Sequence, residues 1–337
     1  MADSLMKGWH RRSDEELLSL RFRDLPLHST DRLIASAVKE LHRELQRRGL
    51  RFRPHVWLSD EWFSPDGVPG FAIPFYLAHP RLRRLERSQM LEVEGGTLRS
   101  CLRLMRHETG HAIDNAYRLR RRKERQRLFG SPSDPYPRSY APRPFSRRYV
   151  RHLEFGYAQS HPDEDFAETF AVWLDPGSRW RERYADWPAL EKLLYIDELM
   201  REIGGRIPSL GNRRRPYPLS ALRRSLRTHY RIKRERYRVD FSQNYDEDLS
   251  VIFGLRGEVA AARFLERHRG FLRRQIARWT GIPGYAVDQV LKDWIERSRE
   301  RGLRVRTAPE KALRDVVTAL TVRVMQYLQS GNYRVAL

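Results

Sequence analysis

The sequence predicts an α+β protein: a mainly helical domain with a small sheet over residues 1–204, followed by an all-α domain over residues 205–337. Three observations predict it. Apolar residues recur at helical spacing, as in Leu33, Ile34, Ala37, Val38, Leu41 and Leu45. Strand-like segments are few and lie together between residues 52 and 94. The stretch from Gly204-Gly205 through Pro216, rich in glycine, proline and arginine, is the best domain boundary.

The elements follow in order. Ser13-Asp14-Glu15-Glu16 reads as a helix start, with Ser13 as cap and Glu16 three residues later. Asp31 to Arg48 is a second helix, closed by Gly49. Phe52 to Leu58 alternates like a strand, and Ser64-Pro65-Asp66-Gly67 is a turn. Phe71 to Leu77 is a second strand, with Pro74 placing it at an edge or bulge. Met90 to Glu94 is a short third strand. An exposed edge at 71–77 or at 90–94 is expected to pair with an extended peptide.

From Thr97 past Asn115 the chain has no proline and one glycine, Gly110, and reads as a helix. It contains His107-Glu108-Thr109-Gly110-His111, the pattern H-E-x-x-H. Residues four apart share a helix face, so two imidazoles stand side by side at a spacing that suits one tetrahedral zinc ion. Glu108 lies about 100° around the helix from His107 and can reach a zinc-bound water without displacing it. Leu98, Cys101, Leu102, Leu104, Met105, Ala112, Ile113 and Ala116 make the segment apolar on most sides, so it is expected to be buried. Buried histidines need partners, and a metal supplies one to both. Cys101, six residues before His107, falls off the ligand face and reads as a small buried apolar residue.

A catalytic zinc takes a third protein ligand and keeps one position open. The region from His161 to Ala171 offers the candidates. Pro162 suits a first helical position, and Asp175-Pro176-Gly177 ends the helix near Leu174. Glu164 and Glu168 share one face of it, with Phe166, Phe170 and Trp173 on the packed side. Acids in a first turn also complement the helix dipole, but the ligand reading is preferred, because the upstream motif lacks a third ligand of its own.

H-E-x-x-H followed by a glutamate on a second helix is the gluzincin pattern. His107-Glu108-Thr109-Gly110-His111-Ala112-Ile113-Asp114 resembles the active helix of the anthrax lethal factor peptidase domain and its relatives. So does Glu164-x-Phe166-Ala167-Glu168-x-Phe170, with Tyr157 seven residues before Glu164. The stretch from His161 to Thr169 is also similar to bacterial proteins described only as zinc-binding metallopeptidases. The resemblance covers roughly residues 50–200. It implies a zincin-like domain in which His107, His111 and Glu164 bind zinc, Tyr157 stabilises the oxyanion and Glu168 supports the ligands from outside. The metzincin extension would need glycine at 114 and histidine at 117, where this chain has Asp114 and Tyr117. Asp114, one turn after His111, is placed to hold an imidazole tautomer. His161 has no assigned role beyond a structural cap.

Ser131 to Pro144 is proline-rich and reads either as a rigid surface connection or as a lid over the cleft. Phe145 to Phe155 is expected to be a short helix leading to Tyr157, and Trp180 to Ile203 one or two more. Four helices are expected beyond the boundary: 218–236, 246–267 with a break near Gly254, 285–300 and 309–329.

The 337 residues hold 65 basic and 43 acidic side chains, a net charge of +22. Residues 205–337 hold 29 basic against 13 acidic residues, so most of the surplus is expected in the C-terminal domain. Arg223, Arg224, Arg227, Arg231, Arg234 and Arg238 recur at spacings of three to four and are read as a solvated face, the commoner case, or as a stripe for phosphate backbones, acidic protein or anionic membrane. One cysteine, no signal-peptide-like start and no apolar span point to a cytoplasmic protein without a transmembrane segment; export, if it occurs, uses a route without a cleaved signal.

The first function class is therefore a zinc metallopeptidase acting on a peptide or protein substrate, with Glu108 as general base toward a zinc-activated water. The rival class is a basic, non-enzymatic binding protein, for nucleic acid or an acidic partner, that keeps a structural zinc site. A purely structural site would have no use for Glu108.

Overall fold

The computed structural model describes residues 8–27, 31–137, 140, 142–143, 145–237 and 245–329. It is mainly helical with a small parallel sheet, an α+β fold. The chain divides into two compact units. The first comprises Met1–Gln89, Val93–Pro137 and Arg143–Arg231; the second comprises Met90–Glu92, Arg138–Pro142 and Ile232–Leu337.

The first unit opens with α1 (Asp14–Ser19), started by a capping box between Ser13 and Glu16. Helix α2 (Arg32–Arg47) starts at Asp31, whose carboxylate accepts from Leu33 N at 2.8 Å. It buries Ile34, Ala37, Leu41 and Leu45, the apolar face that the spacing marks.

β1 (His55–Ser59) and β2 (Gly70–Pro74) pair in parallel, with Val56 opposite Phe71 and Leu58 opposite Ile73. Every residue of β2 is buried, as in a strand covered on both faces. Its other edge is partly taken, because Ala72 N donates to Phe63 O at 2.8 Å. The strand stops at Pro74. Phe75–Ala78 form a 3-10 turn whose four residues are all buried, which an alternating strand would not achieve against a single core.

The third strand expected at 90–94 does not form. Helix α3 (Pro80–Met90) runs into it, Leu91 takes a left-handed conformation with φ 68°, and Gly96 N closes a turn on Val93 O. A left-handed residue reverses the chain and ends any extended run. The apolar face of α3 is Leu82, Leu85 and Met90 among many arginines, which hides the helix in the sequence.

Helix α4 (Leu98–Tyr117) is capped by Thr97 and Ser100 and is followed by α5 (Lys123–Phe129). No helix forms over Phe145–Phe155. The backbone groups there are satisfied elsewhere: Arg147 O accepts from Ala189 N, Arg151 N donates to the Tyr184 hydroxyl, and Leu153 N donates to Glu168. A 3-10 turn over Glu154–Gln159 carries Tyr157. Helix α6 (Pro162–Leu174) is buried from Asp163 to its end. Then come α7 (Trp180–Arg183), α8 (Ala189–Ile203) and α9 (Leu226–Arg236), of which residues 226–231 fall in this unit.

The expected boundary at 204/205 lies inside this unit. Residues 205–231 follow its surface: Leu210 N donates to Ala116 O at 2.9 Å, Trp57 Nε1 to Pro216 O at 3.0 Å and the Ser59 hydroxyl to Tyr217 O at 2.6 Å. This segment has eight arginines and no acidic residue. The expected arginine stripe is not a single helix face. Arg223 and Arg224 precede α9, Arg224 pairs with Asp60, Arg227 pairs with Glu15 at 2.6 Å, and Arg238 lies outside the described residues.

The second unit contains α10 (Asp246–Ile252), β3 (Phe253–Gly254), α11 (Ala261–Thr280), α12 (Gly284–Glu300), β4 (Arg304–Val305) and α13 (Pro309–Gln329). It is helical save for the two-residue antiparallel ladder of β3 and β4, which accounts for the break near Gly254. Asp288 of α12, 2% exposed, is held by Arg269 at 2.7 Å and Arg273 at 3.4 Å. No helix among the described residues is long and apolar enough to cross a membrane.

Candidate metal centre

The site is made where α4 meets α6. Their contact is close because Gly110 has no side chain: a Cβ there would lie 2.7 Å from Ala167 Cα. The approach brings His107 and His111 of α4 against Glu164 of α6, with one donor atom from each within 4.8 Å of the others. His107 Nε2 lies 3.1 Å from Glu164 Oε2 and His111 Nε2 lies 3.2 Å from the same oxygen. The two imidazole nitrogens are 3.2 Å apart. Donors bound at zinc–nitrogen distances around one tetrahedral ion are about 3.3 Å apart, so the set fits zinc closely.

Glu168, one turn beyond Glu164, sits behind the first ligand. Its Oε1 is 2.8 Å from His107 Nδ1, which directs Nε2 toward the other donors. Its Oε2 accepts from Leu153 N at 2.7 Å and so fixes the start of the turn that carries Tyr157.

Burial alone would lower the pKa of His107, but the Glu164 and Glu168 carboxylates raise it well above the ordinary value. Burial would likewise raise the pKa of Glu164, and His111 and His107 hold it well below the carboxylate range instead.

Glu108 is 7% exposed. Burial raises its pKa, against the pull of His107 and His111. The Ser64 hydroxyl lies 3.0 Å from Glu108 Oε2. The turn that carries Ser64 is pinned to α4 by Asn115, whose Nδ2 donates to Pro65 O at 3.1 Å and whose Oδ1 accepts from Gly67 N at 3.1 Å. The Tyr157 ring is 5.5 Å from that of His107. Burial, then the charges of Glu164 and Glu108, push the phenol pKa well up, so its proton stays on.

Asp114 holds no imidazole. Its Oδ1 accepts from Arg120 N at 2.6 Å and its Oδ2 from Arg125 Nη2 at 3.0 Å. Arg125, fully buried, also donates to Asp163 Oδ1 at 2.5 Å. Asp114 therefore ties α4 to the first turn of α6, and the part expected of it at the imidazole belongs to Glu168. His161 caps α6: its Nδ1 accepts from Asp163 N at 3.1 Å. Cys101 is buried, as its position suggests, and burial pushes its thiol up to about 12.

Sequence reasoning missed Ser64, Asn115, Arg125 and Tyr136, whose hydroxyl donates to Glu164 Oε1 at 3.0 Å. Asn115 carried a signal as a polar residue in an apolar helix run, and the reading of 131–144 as a lid took in Tyr136 without giving it a role.

Two histidines and one carboxylate, converging from two buried helices, could hold a metal ion, and this donor set is one that zinc hydrolases use. Residues 73–177, from β2 past α6, match the model of a family described as "Putative zinc-binding metallo-peptidase". No curated protein and no solved structure matches the chain. The match includes both donor-bearing helices, and together with the donor set it specifies zinc as the cofactor and supports a peptidase.

Proposed function

We propose that the protein is a zinc-dependent peptidase of gluzincin type, with His107, His111 and Glu164 as the metal ligands. The observation that carries this reading is Glu108, a buried carboxylate on the same turn as the histidines and bonded to Ser64 rather than to any of the three donors. Zinc, when bound, supplies a Lewis acid that acidifies water and polarises a carbonyl. Glu108 takes the proton of the attacking water and returns it to the leaving amine. Tyr157, protonated and with no hydrogen-bond partner for its hydroxyl among the described residues, donates to the developing oxyanion. Glu168 keeps the His107 ring aligned throughout.

Purified protein should carry about one zinc per chain, read by elemental analysis. His107→Ala and His111→Ala each lose most of it, and Glu164→Gln weakens it strongly. Glu168→Gln removes an orienting bond and no ligand, so it weakens zinc by about 10- to 100-fold, less than Glu164→Gln. Full zinc in both histidine variants would remove the basis of the reading. A larger loss in Glu168→Gln than in Glu164→Gln would reassign the ligand.

We also propose that the basic surface beyond residue 204 binds an acidic protein, as partner or substrate. Half of the C-terminal charge surplus lies in residues 205–231, with eight arginines and no acid. Arg213, Arg214, Arg215 and Arg223 are exposed there. Binding of a fluorescent glutamate-rich peptide should weaken steeply between low and physiological salt, because exposed charges are screened. Salt-insensitive binding, or none, counts against it, and preference for a nucleic acid of equal charge would move the assignment to the rival partner. A cytoplasmic location accords with a single, buried cysteine, and cell fractionation checks it.

A further inference from the structure

Each oxygen of Glu164 has a different neighbour. Oε2 faces both histidines. Oε1 accepts a hydrogen bond of 3.0 Å from the hydroxyl of Tyr136, which comes from the proline-rich stretch after α5. The Tyr136 ring is 47% exposed, yet the carboxylate that it holds belongs to a residue only 4% exposed. The ring lies flat on His161, with centroids 3.7 Å apart and planes 12° from parallel. His161 is itself fixed at both ring nitrogens. Nδ1 accepts from Asp163 N in the cap of α6, and Nε2 lies 2.8 Å from Asp134 O in the same stretch as Tyr136. The stretch, the helix cap and the ligand form one closed set of contacts.

We propose that Tyr136 is a positioning residue for the metal: it holds Glu164 by Oε1 so that Oε2 alone is offered to zinc. The proposal rests on the zinc-site reading above. The terminal torsion of a glutamate is soft, so an unheld carboxylate swings between one-oxygen and two-oxygen ligation. Two-oxygen ligation would fill the position that a catalytic zinc keeps open. A phenol suits the task because it donates without adding charge. An ordinary phenol, with a pKa of about 10, keeps that proton at neutral pH.

A second consequence follows from linkage. If the order of residues 131–137 raises zinc affinity, zinc orders those residues by the same free energy. Tyr157 differs from Tyr136 in this respect, since its hydroxyl meets no ligand among the described residues. The two tyrosines therefore divide the work, Tyr136 on the ligand and Tyr157 on the substrate.

The test uses the full chain and zinc alone, with affinity read by competition against a chromogenic chelator. Tyr136→Phe keeps the ring stack and loses the hydroxyl, and zinc affinity should fall by about 10-fold or more. Tyr157→Phe should leave it unchanged. His161→Asn keeps a good helix cap but removes the stack. It should lower affinity too, and the double variant should fall no further than Tyr136→Phe, because both act through one contact. Hydrogen exchange of residues 131–137 should slow on adding zinc to wild type and slow less in Tyr136→Phe. Equal zinc affinity in Tyr136→Phe and wild type overturns the proposal, as does a loss confined to Tyr157→Phe. A wild-type protein that takes up no zinc is a separate outcome, and it overturns the zinc site itself.

Discussion

Glu108→Gln keeps its zinc and loses hydrolysis, by about 10²- to 10⁴-fold, the usual worth of a positioned general base. The substitution preserves shape and removes only the basic oxygen. The three donors are on other residues, so metal content should match wild type. The Ser64 hydroxyl now lies 3.0 Å from Glu108 Oε2 and can donate equally to the amide oxygen of glutamine, so the side chain keeps its place. The measurement is proteome-wide cleavage profiling of wild type beside the variant, with zinc determined on the same samples. The same experiment supplies the substrate, which neither helix encodes. Cleavage at the wild-type rate by the variant would remove Glu108 from the chemistry. Loss of zinc would make it a ligand. A wild-type protein that cleaves nothing would favour the rival reading, a basic binding protein with a structural zinc.

Gly110→Ala is the second large effect, and its sign is diagnostic. In an exposed helix interior this exchange stabilises by about 0.5–1 kcal/mol, because alanine loses less backbone freedom on folding. Here the new Cβ would meet Ala167 Cα at 2.7 Å, Ala167 O at 3.0 Å and Ala167 Cβ at 3.1 Å. Backbone atoms of a packed helix cannot rotate away, so α4 and α6 must separate. Overpacking of this kind costs about 1–3 kcal/mol. The ligands sit on those two helices, so parting them also spreads the donors, and zinc affinity falls with stability. Denaturant unfolding of the metal-free protein and chelator competition read the two effects. A neutral or stabilised Gly110→Ala protein would show that the helices do not approach as closely as described.

Much of the frame was legible because it is written in short stretches of chain. The Ser13–Glu16 capping box, the apolar face of α2 and the start of α6 at Pro162 need only three to eight neighbouring residues. The same is true of His107 and His111: a helix of 3.6 residues per turn puts them together wherever the helix packs. The helices at 285–300 and 309–329 were readable for the same reason. Resemblance to a zincin pattern chose Glu164 from the two glutamates already singled out on that helix and added Tyr157, but it contained no contact.

What the sequence by itself determined, then, is a zinc-suited pair of histidines with an adjacent glutamate on a buried helix, a second acidic helix, and a strongly basic chain. Tertiary structure alone decided which partners these groups meet. Ser64 reaches Glu108 across 44 residues, Glu168 reaches His107 across 61 and Tyr136 reaches Glu164 across 28. It also gave Asp114 to Arg125 instead of an imidazole, turned 90–94 into a reversal, and laid the arginine-rich stretch 205–231 along the first unit. The physical reason is one of range. Helical periodicity and capping are satisfied by neighbours in sequence, whereas a buried hydroxyl, guanidinium or carboxylate takes its partner from whichever surface packing brings within 3 Å, and no local pattern records that choice.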